Sequence, residues 1–554
     1  MAAAVAGVLL LPFGAHAAGP PMVMSGPNYG LVAQTPAGPI TEANGSFDAN
    51  TVKNVNRVAS PAPSTTSPDI VDAYTLQLNT NPFPTTLCAG KPNCEGWLQF
   101  VFANNGTSGE IYIKYWLRSY GAPCPPGWLA RQIDCYKKSG AKPTPNMPLN
   151  TGTMSKYRLT GKVSGPEDWI KFEVAGAYEI SSPVTRELVI GTNWQRAEFN
   201  VFGLADESTA NFNDYAEFHT RVEIVYGGQR RPLCKSFAYS NEANNLSFVA
   251  PPPPRTGTNP AVVFNQKKLP PNEIPILDPC AAAETIGDTH ERTFAGTGYD
   301  FQAAGDFVEA QLDNTFEVQT RKMSGAPNWP DTSINRSVAT RMGTTRVALC
   351  DGANLMVDGR LTSLPSGGSV SLPTGVEIRR AGSQYRITDK AGHSVYIVSN
   401  VTHTDLVIGL GIWPAPVRGL LGNPGGDPRL LESSDGKVFE VPMSFSDLYN
   451  RFGNSWRVAP ADSLLQQCAR VADGIPSGLF YAEDLPPSLR VQSENTCRQA
   501  GILRPIWLKA CTLDVAVLGT RATAVYKDRQ PDVVDGNPRR CSPVGCSGGG
   551  RGVR

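Results

Sequence analysis

The stretch GDTHERTFAGTGYDFQAAG, Gly287–Gly305, decides how the second half of the chain folds. Apolar and polar residues alternate around Phe294, Tyr299 and Phe301, with glycines at 296, 298 and 305. That pattern predicts two short strands joined by a tight turn. Downstream lie VRGLLGNPGGD, Val417–Asp427, and FGNSWRV, Phe452–Val458. Between these segments the spacing predicts hairpins, Phe307–Leu312 with Phe316–Thr320 and Ser333–Met342 with Thr345–Leu349. A meander follows over Gly375–Arg379, Gln384–Thr388 and Ser394–Val398, then the apolar strand Leu406–Ile412. Val376 and Ile378 face one way, Glu377 and Arg379 the other, as a half-buried strand requires. A stacked β architecture is expected.

The three quoted segments resemble, in order and spacing, the von Willebrand factor type D domain. That family opens on G-D-P-H-x-x-T-F-D-G-x-x-Y-x-F, carries G-L-C-G-N and closes on F-G-x-S-W. The resemblance implies a D-type stacked β-sheet domain over 280–458, and three activities that can be tested on these residues. Calcium binding would use the T-F-D-G aspartate, which is Ala295 here, and a loop in which Asn423 and Asp427 remain. Leu430 and Leu431 stand where acids are usual, and a calcium ion takes about six to eight oxygens, so the set falls short. Thiol exchange would use C-G-L-C, which is Arg418-Gly419-Leu420-Leu421 here; without a thiolate there is no exchange. Self-cleavage at Asp-Pro is not expected, because Thr289 follows Asp288. His290 is expected to pack in the turn or hydrogen-bond it.

Upstream, Trp97–Phe102 and Ile111–Leu117 flank an Asn-Gly-rich turn. Tyr112, Lys114 and Trp116 share one face of the second strand, and Ile111, Ile113, Tyr115 and Leu117 the other. Strands are also expected at Asp69–Leu76, Tyr157–Val163, Trp169–Val174, Glu187–Ile190, Ala197–Phe202 and Phe218–Tyr226, the rhythm of a β-sandwich over 69–250. W-x-Q-F, K-Y-W-L, C-P-x-G-W and A-E-F-N-V-x-G here resemble a sandwich module of secreted microbial proteins. That module is distantly similar to concanavalin-like sandwiches, glutamic peptidases among them. The likeness implies Glu198 as a general base and Gln99 as an oxyanion donor if the region is catalytic. As ordinary strand positions they carry no chemistry. A carbohydrate-binding reading instead needs an open aromatic platform at Trp116 or Trp128.

Residues 19–68 are rich in Pro, Ser, Thr, Gly and Asn and read as extended or loosely ordered. The prolines of 251–279 read as a linker between domains. After Val458 helices are expected at Ser463–Ala472, Ser493–Ala500 and Leu508–Leu518, a small cysteine-containing helical module over 459–530. Its ENTCRQAGI and ACTLDVAVLG resemble the helical module that follows D domains. Residues 531–554 read as a flexible tail. Met1–Ala18, with the apolar run Val5–Phe13 and Ala15-His16-Ala17, reads as a secretory signal peptide. No Lys or Arg precedes that run, which leaves open a start upstream of Met1.

Across 554 residues, Lys+Arg 50 against Asp+Glu 49 leaves +1, so no electrostatic footprint for nucleic acid is present. No segment has the length of a membrane helix. The 12 cysteines suit an oxidising compartment, with close pairs Cys88/Cys94, Cys124/Cys135, Cys497/Cys511 and Cys541/Cys546. No C-x-x-C favours zinc. His219, His290, His393 and His403 stand at no metal or triad spacing, and Asn245 heads a glycosylation sequon. The sequence therefore points to a mainly β, secreted or cell-surface interaction protein. Its expected partners are extracellular protein or glycan surfaces, and no cofactor is expected beyond the incomplete calcium set. The alternatives are a hydrolase or glutamic-type peptidase, or a carbohydrate-binding module, in the N-terminal sandwich.

Overall fold

A computed structural model describes residues 30–61, 69–204, 208–236, 243–249, 260–269, 280–527 and 530–540. The expected signal peptide 1–18, the Pro251–Pro254 run and the Cys541/Cys546 pair lie outside the described residues. The chain is mainly β, with an N-terminal sandwich, a second stacked-sheet body and a helical disulfide-bonded unit near the C-terminus.

Alternation along Glu95–Asn105 and Ser108–Arg118 sets the first body. The two strands pair in register, Trp97 opposite Trp116 and Gln99 opposite Lys114. Ile111, Ile113, Tyr115 and Leu117 are fully buried, as their shared face predicts. Ala73–Thr80 joins this hairpin to Arg196–Phe202, and Leu31–Gln34 and Leu233–Ser236 continue the sheet. Facing it is a second sheet, in the order Tyr178–Thr185, Glu167–Val174, Tyr157–Ser164, Glu42–Phe47, Glu217–Val225, Ala261–Lys267 and Ser247–Val249. Aromatic rings fill the space between: Phe102 stacks on Phe172 at 4.0 Å, and Phe47 meets both Phe199 and Phe218.

Two expectations fail here. The segment 19–68 is not loosely ordered where it is described, since it supplies Leu31–Gln34, Glu42–Phe47 and Val58–Ser60. The span 251–279 is not linker throughout, since Ala261–Lys267 pairs along Glu217–Glu223 and belongs to the sandwich, which therefore exceeds 69–250. Strands lying under large rings must use small residues. A Cβ on Gly45 would sit 2.0 Å from the Phe199 ring, and one on Gly161 would sit 2.4 Å from Phe100. Glu42–Phe47, EANGSF, thus reads as polar although it is a central strand. Glu187–Ile190 is not a strand; Leu188 and Ile190 are buried from a loop.

The second body stacks two sheets. One runs from Gly305–Leu312 through Phe316–Gly325, Trp329–Met342 and Thr345–Cys350 to short strands at 354–361. The other carries the meander Glu377–Ala381, Gln384–Thr388 and Ser394–Ser399, then Thr404–Leu410, Ala281–Ile286, His290–Arg292 and Thr297–Asp300. The opening stretch forms the expected two strands and tight turn, with Gly296 at φ +96°. Its aromatics bring the three motif segments together. The Tyr299 hydroxyl donates to the Leu420 carbonyl at 2.5 Å, Phe301 stacks on Tyr449, and a Cβ on Gly453 would lie 2.1 Å from the Phe301 ring.

The expected helix Ser463–Ala472 does not form. Arg321 Nη1 donates to the carbonyls of Cys468 and Ala469, the Leu464 N–H goes to Gln319, and Cys468 is bonded to Cys350. Tertiary partners replace the helical ladder, and local apolar periodicity does not reveal them. Two helices do form, α1 (Pro487–Gln499) and α2 (Pro505–Leu518), linked by Cys497–Cys511. The tail is not flexible throughout 531–554: Val534–Asp535 pairs in parallel with Thr297 and Gly298, and Arg540 is ion-paired with Asp484.

The described disulfides are Cys88–Cys94, Cys124–Cys135, Cys234–Cys280, Cys350–Cys468 and Cys497–Cys511. The two bodies share a sheet edge, Lys235 opposite Ile412 and Cys234 opposite Trp413, beside the Cys234–Cys280 bond. Among the described residues, no helix is long and apolar enough to cross a membrane.

Candidate functional site

The opening stretch places its polar residues by strand alternation. His290 and Arg292 project to one side of their short strand and Glu291 to the other. On the first side, His290 Nδ1 lies 2.6 Å from Asp300 Oδ1 on the paired strand. Its Nε2 lies 2.7 Å from Asp288 Oδ1 and 3.5 Å from Asp514 Oδ1. Asp514 comes from the middle of α2 and is fully buried. It accepts from the Asp288 N–H at 2.7 Å and from the Tyr526 hydroxyl. Gly287 makes this approach possible: φ is +60°, and a Cβ would fall 1.9 Å from Asp514 Oδ2.

Burial pushes the Asp288 carboxyl up to about 8, against the pull of His290. Burial opposes the imidazolium too, but the surrounding carboxylates outweigh it and raise His290 well above its usual range. Burial also disfavours the Asp514 carboxylate, yet His290 overrides it and holds that group below its ordinary value. The cluster is shielded from solvent. In this conformation it meets no soluble substrate.

Thr289 sits between them at φ +69°, fully buried, with its hydroxyl among the Phe301 carbonyl, Gln302 and Ser333. Proline is fixed near φ −65°, so this backbone excludes the proline of G-D-P-H. A β-branched residue at positive φ is strained.

On the other side of the strand, Glu291 meets Lys322 Nζ at 2.6 Å, and Glu309 reaches the same ammonium at 2.9 Å. All three are fully buried, with Thr285 and Asn335 completing the shell of Lys322. Burial and the neighbouring Glu309 push Glu291 up to about 8, against the pull of Lys322. One cation between two acids in a dry core holds sheets together and exposes nothing to a reactant.

The calcium set does not assemble. Asn423 Oδ1 accepts the Ala295 N–H at 3.1 Å, and its amide donates to Thr297 Oγ1 and the Leu430 carbonyl. Asp427 is exposed and caps its own turn through the Arg429 N–H. Asn423 ties the opening turn to the downstream loop.

Gln99 and Glu198 lie on one face of one sheet and in one cross-strand row, but Asn79 stands between them. With neighbouring strands about 4.8 Å apart, their backbones are about 10 Å apart. Asn79 donates to Glu198 Oε2 at 2.9 Å. Gln99 donates to Gln77 and accepts from Trp116 Nε1. The amide that would serve an oxyanion is already engaged. Trp116 is buried beside Trp97 and Tyr136, while Trp128 is half-buried against the core. Asn245 of the sequon uses its amide on the Phe212 carbonyl and its oxygen on the Phe212 N–H, so it is not offered to a modifying enzyme.

Of the other histidines, His393 accepts the Gly411 N–H at Nδ1 and lies against the Phe316 ring, and His403 lies by Asp405 and Asn400. Sequence reading placed His290 in the turn but missed its partner Asp514. The signal was an acid in the middle of the apolar run ACTLDVAVL, where a helix has no local use for one. Searches against protein-family models and against curated proteins found no match.

Proposed function

We propose that this is a secreted, modular interaction protein that docks extracellular protein or glycan surfaces and performs no catalysis. In this reading the second body is a von Willebrand factor type D domain. The observation that carries it is where the reactive side chains lie. Asp288, His290, Asp514, Glu291, Glu309 and Lys322 are sealed inside cores, where they join strands and helices to one another. What remains outside is broad β surface, braced by disulfides within and between bodies. Convergence of the segments around Tyr299, Leu420 and Phe452 supports the family reading. The disulfides support an oxidising destination.

The test uses the full chain, since Cys234–Cys280 and the Thr297–Val534 pairing span any shorter piece. Immobilised protein is presented with extracellular-matrix and cell-surface extracts, with a reduced and alkylated sample as control. Saturable binding that is lost on reduction is expected. Hydrolysis of peptide or glycan substrates that vanishes in Glu198→Gln, with no saturable binding, would instead establish the hydrolase.

A further inference from the structure

We infer that Asp288, His290 and Asp514 form a site for one zinc-class divalent cation, which fastens α2 to the opening strand of the second body. One nitrogen and two carboxylate donors lie within 4.8 Å of one another, all from buried residues. An acidic cluster alone would not carry this; the orientation of its atoms does. Both Asp288 oxygens and His290 Nε2 are buried and lack a hydrogen-bond partner. Nε2 and Asp288 Oδ1 are only 2.7 Å apart, yet they do not align as donor and acceptor. Such atoms face a common point more than they face each other.

The surroundings match what metal-bound imidazoles use. The other ring nitrogen, Nδ1, is held by the Asp300 carboxylate at 2.6 Å, which fixes the ring and leaves Nε2 as the ligand atom. Tyr526 orients the Asp514 carboxylate. The Gly287 cradle admits that carboxylate where any side chain would exclude it. Among the described residues no Lys or Arg forms an ion pair with Asp288, Asp300 or Asp514, so three carboxylates crowd one imidazole.

Size decides the class. Ligands about 2.0–2.1 Å from a tetrahedral ion stand about 3.3 Å apart. His290 Nε2 and Asp514 Oδ1, at 3.5 Å, already fit that spacing. Asp288 has to withdraw by about 0.6 Å, and a water would take the fourth tetrahedral position. Calcium and magnesium are disfavoured, because a hard ion wants about six or more oxygens and this dry pocket offers few.

The experiment uses the full chain stripped with a chelator, then exposed separately to Zn²⁺, Mn²⁺ and Ca²⁺, passed through a desalting column and assayed for metal. About one equivalent of Zn²⁺ and no Mn²⁺ or Ca²⁺ is expected, with a rise in the thermal midpoint on loading. Asp288→Asn and Asp514→Asn should each lose the equivalent and the thermal shift. Should those variants fail to fold, zinc-edge X-ray absorption on the wild-type protein reads the ligands directly. One imidazole with oxygen neighbours at about 2.0 Å is expected. Folded wild-type protein that retains no Zn²⁺ overturns the inference, and so does a shell with sulfur or several imidazoles. The outcome is independent of whether the protein docks a surface.

Discussion

The two β bodies are built on the same alternation but fill their interiors differently. The sandwich closes on rings and aliphatic side chains: Phe100, Phe102, Phe172, Phe199 and Phe218 lie between its sheets. Its polar row, Glu198, Asn79 and Gln99, is kept on the opposite face of the sheet. The second body places charges inside. Lys322 with Glu291 and Glu309, Arg292 with Glu284, Arg321 with Asp306, and the His290 cluster all sit between or beside its sheets. An apolar core rewards any good fill, whereas a buried ion pair stabilises only the arrangement that pairs it. The first body is therefore held mainly by volume, with Asp168 between Tyr115 and Arg186 an exception, and the second by partner identity.

Breaking one partnership should separate the bodies most sharply. Lys322→Met leaves two carboxylates in a dry core and is expected to cost about 3–5 kcal/mol in denaturant unfolding of the second body. Adding Glu291→Gln and Glu309→Gln should recover much of that loss. If the triple variant is no better than the single one, specific pairing is not what holds this core.

Next in size is Cys350–Cys468, which pins the segment after Val458 to a sheet and closes 118 residues. Replacing both cysteines by serine should cost about 2–4 kcal/mol. It should also raise hydrogen exchange first around 463–470, where the backbone depends on Arg321 and Gln319.

The matching test of the sandwich is Gly161→Ala, which drives a methyl into the Phe100 ring. Overpacking of this kind costs about 1–3 kcal/mol. Phe100→Leu, made together with it, should restore part of the loss by returning volume, a rescue that no size change offers at Lys322.

The smallest effect sharpens the contrast through pH. Burial keeps His393 below its ordinary imidazole value, although Asp389 and Asp313 attract the charged form. Nδ1 accepts the Gly411 N–H, which an imidazolium cannot do. The folded state thus binds fewer protons than the unfolded state, whose imidazole titrates near about 6.5. Stability should be complete above that pH and fall as the pH drops below it. In His393→Asn, which keeps an acceptor and does not titrate, that part of the acid slope should be missing from urea melts recorded between about pH 7 and 5.

How much of this was legible follows from the same distinction. Strands such as Ser108–Arg118 were readable because burial on one face writes a period of two into the chain. Glu42–Phe47 was not, because its inward positions are Ala43, Gly45 and Phe47, sized to rings that come from distant strands. Ser463–Ala472 misled because Leu465 and Cys468 are buried at helical spacing while Arg321 claims the carbonyls. The His290 cluster was half legible. Asp288, His290 and Asp300 share one motif, but Asp514 stands 226 residues from Asp288 and only the fold joins them.

The Cys234–Cys280 bond has a mechanical consequence. A pull applied between a surface held by the sandwich and an attachment on the second body need not run along the chain between these residues. It crosses the covalent bridge and enters the second body at the strand Ala281–Ile286, which is clamped on both sides by Thr404–Leu410 and His290–Arg292. Tension therefore loads the interior of the second sheet in shear, the direction in which a row of backbone hydrogen bonds must fail together.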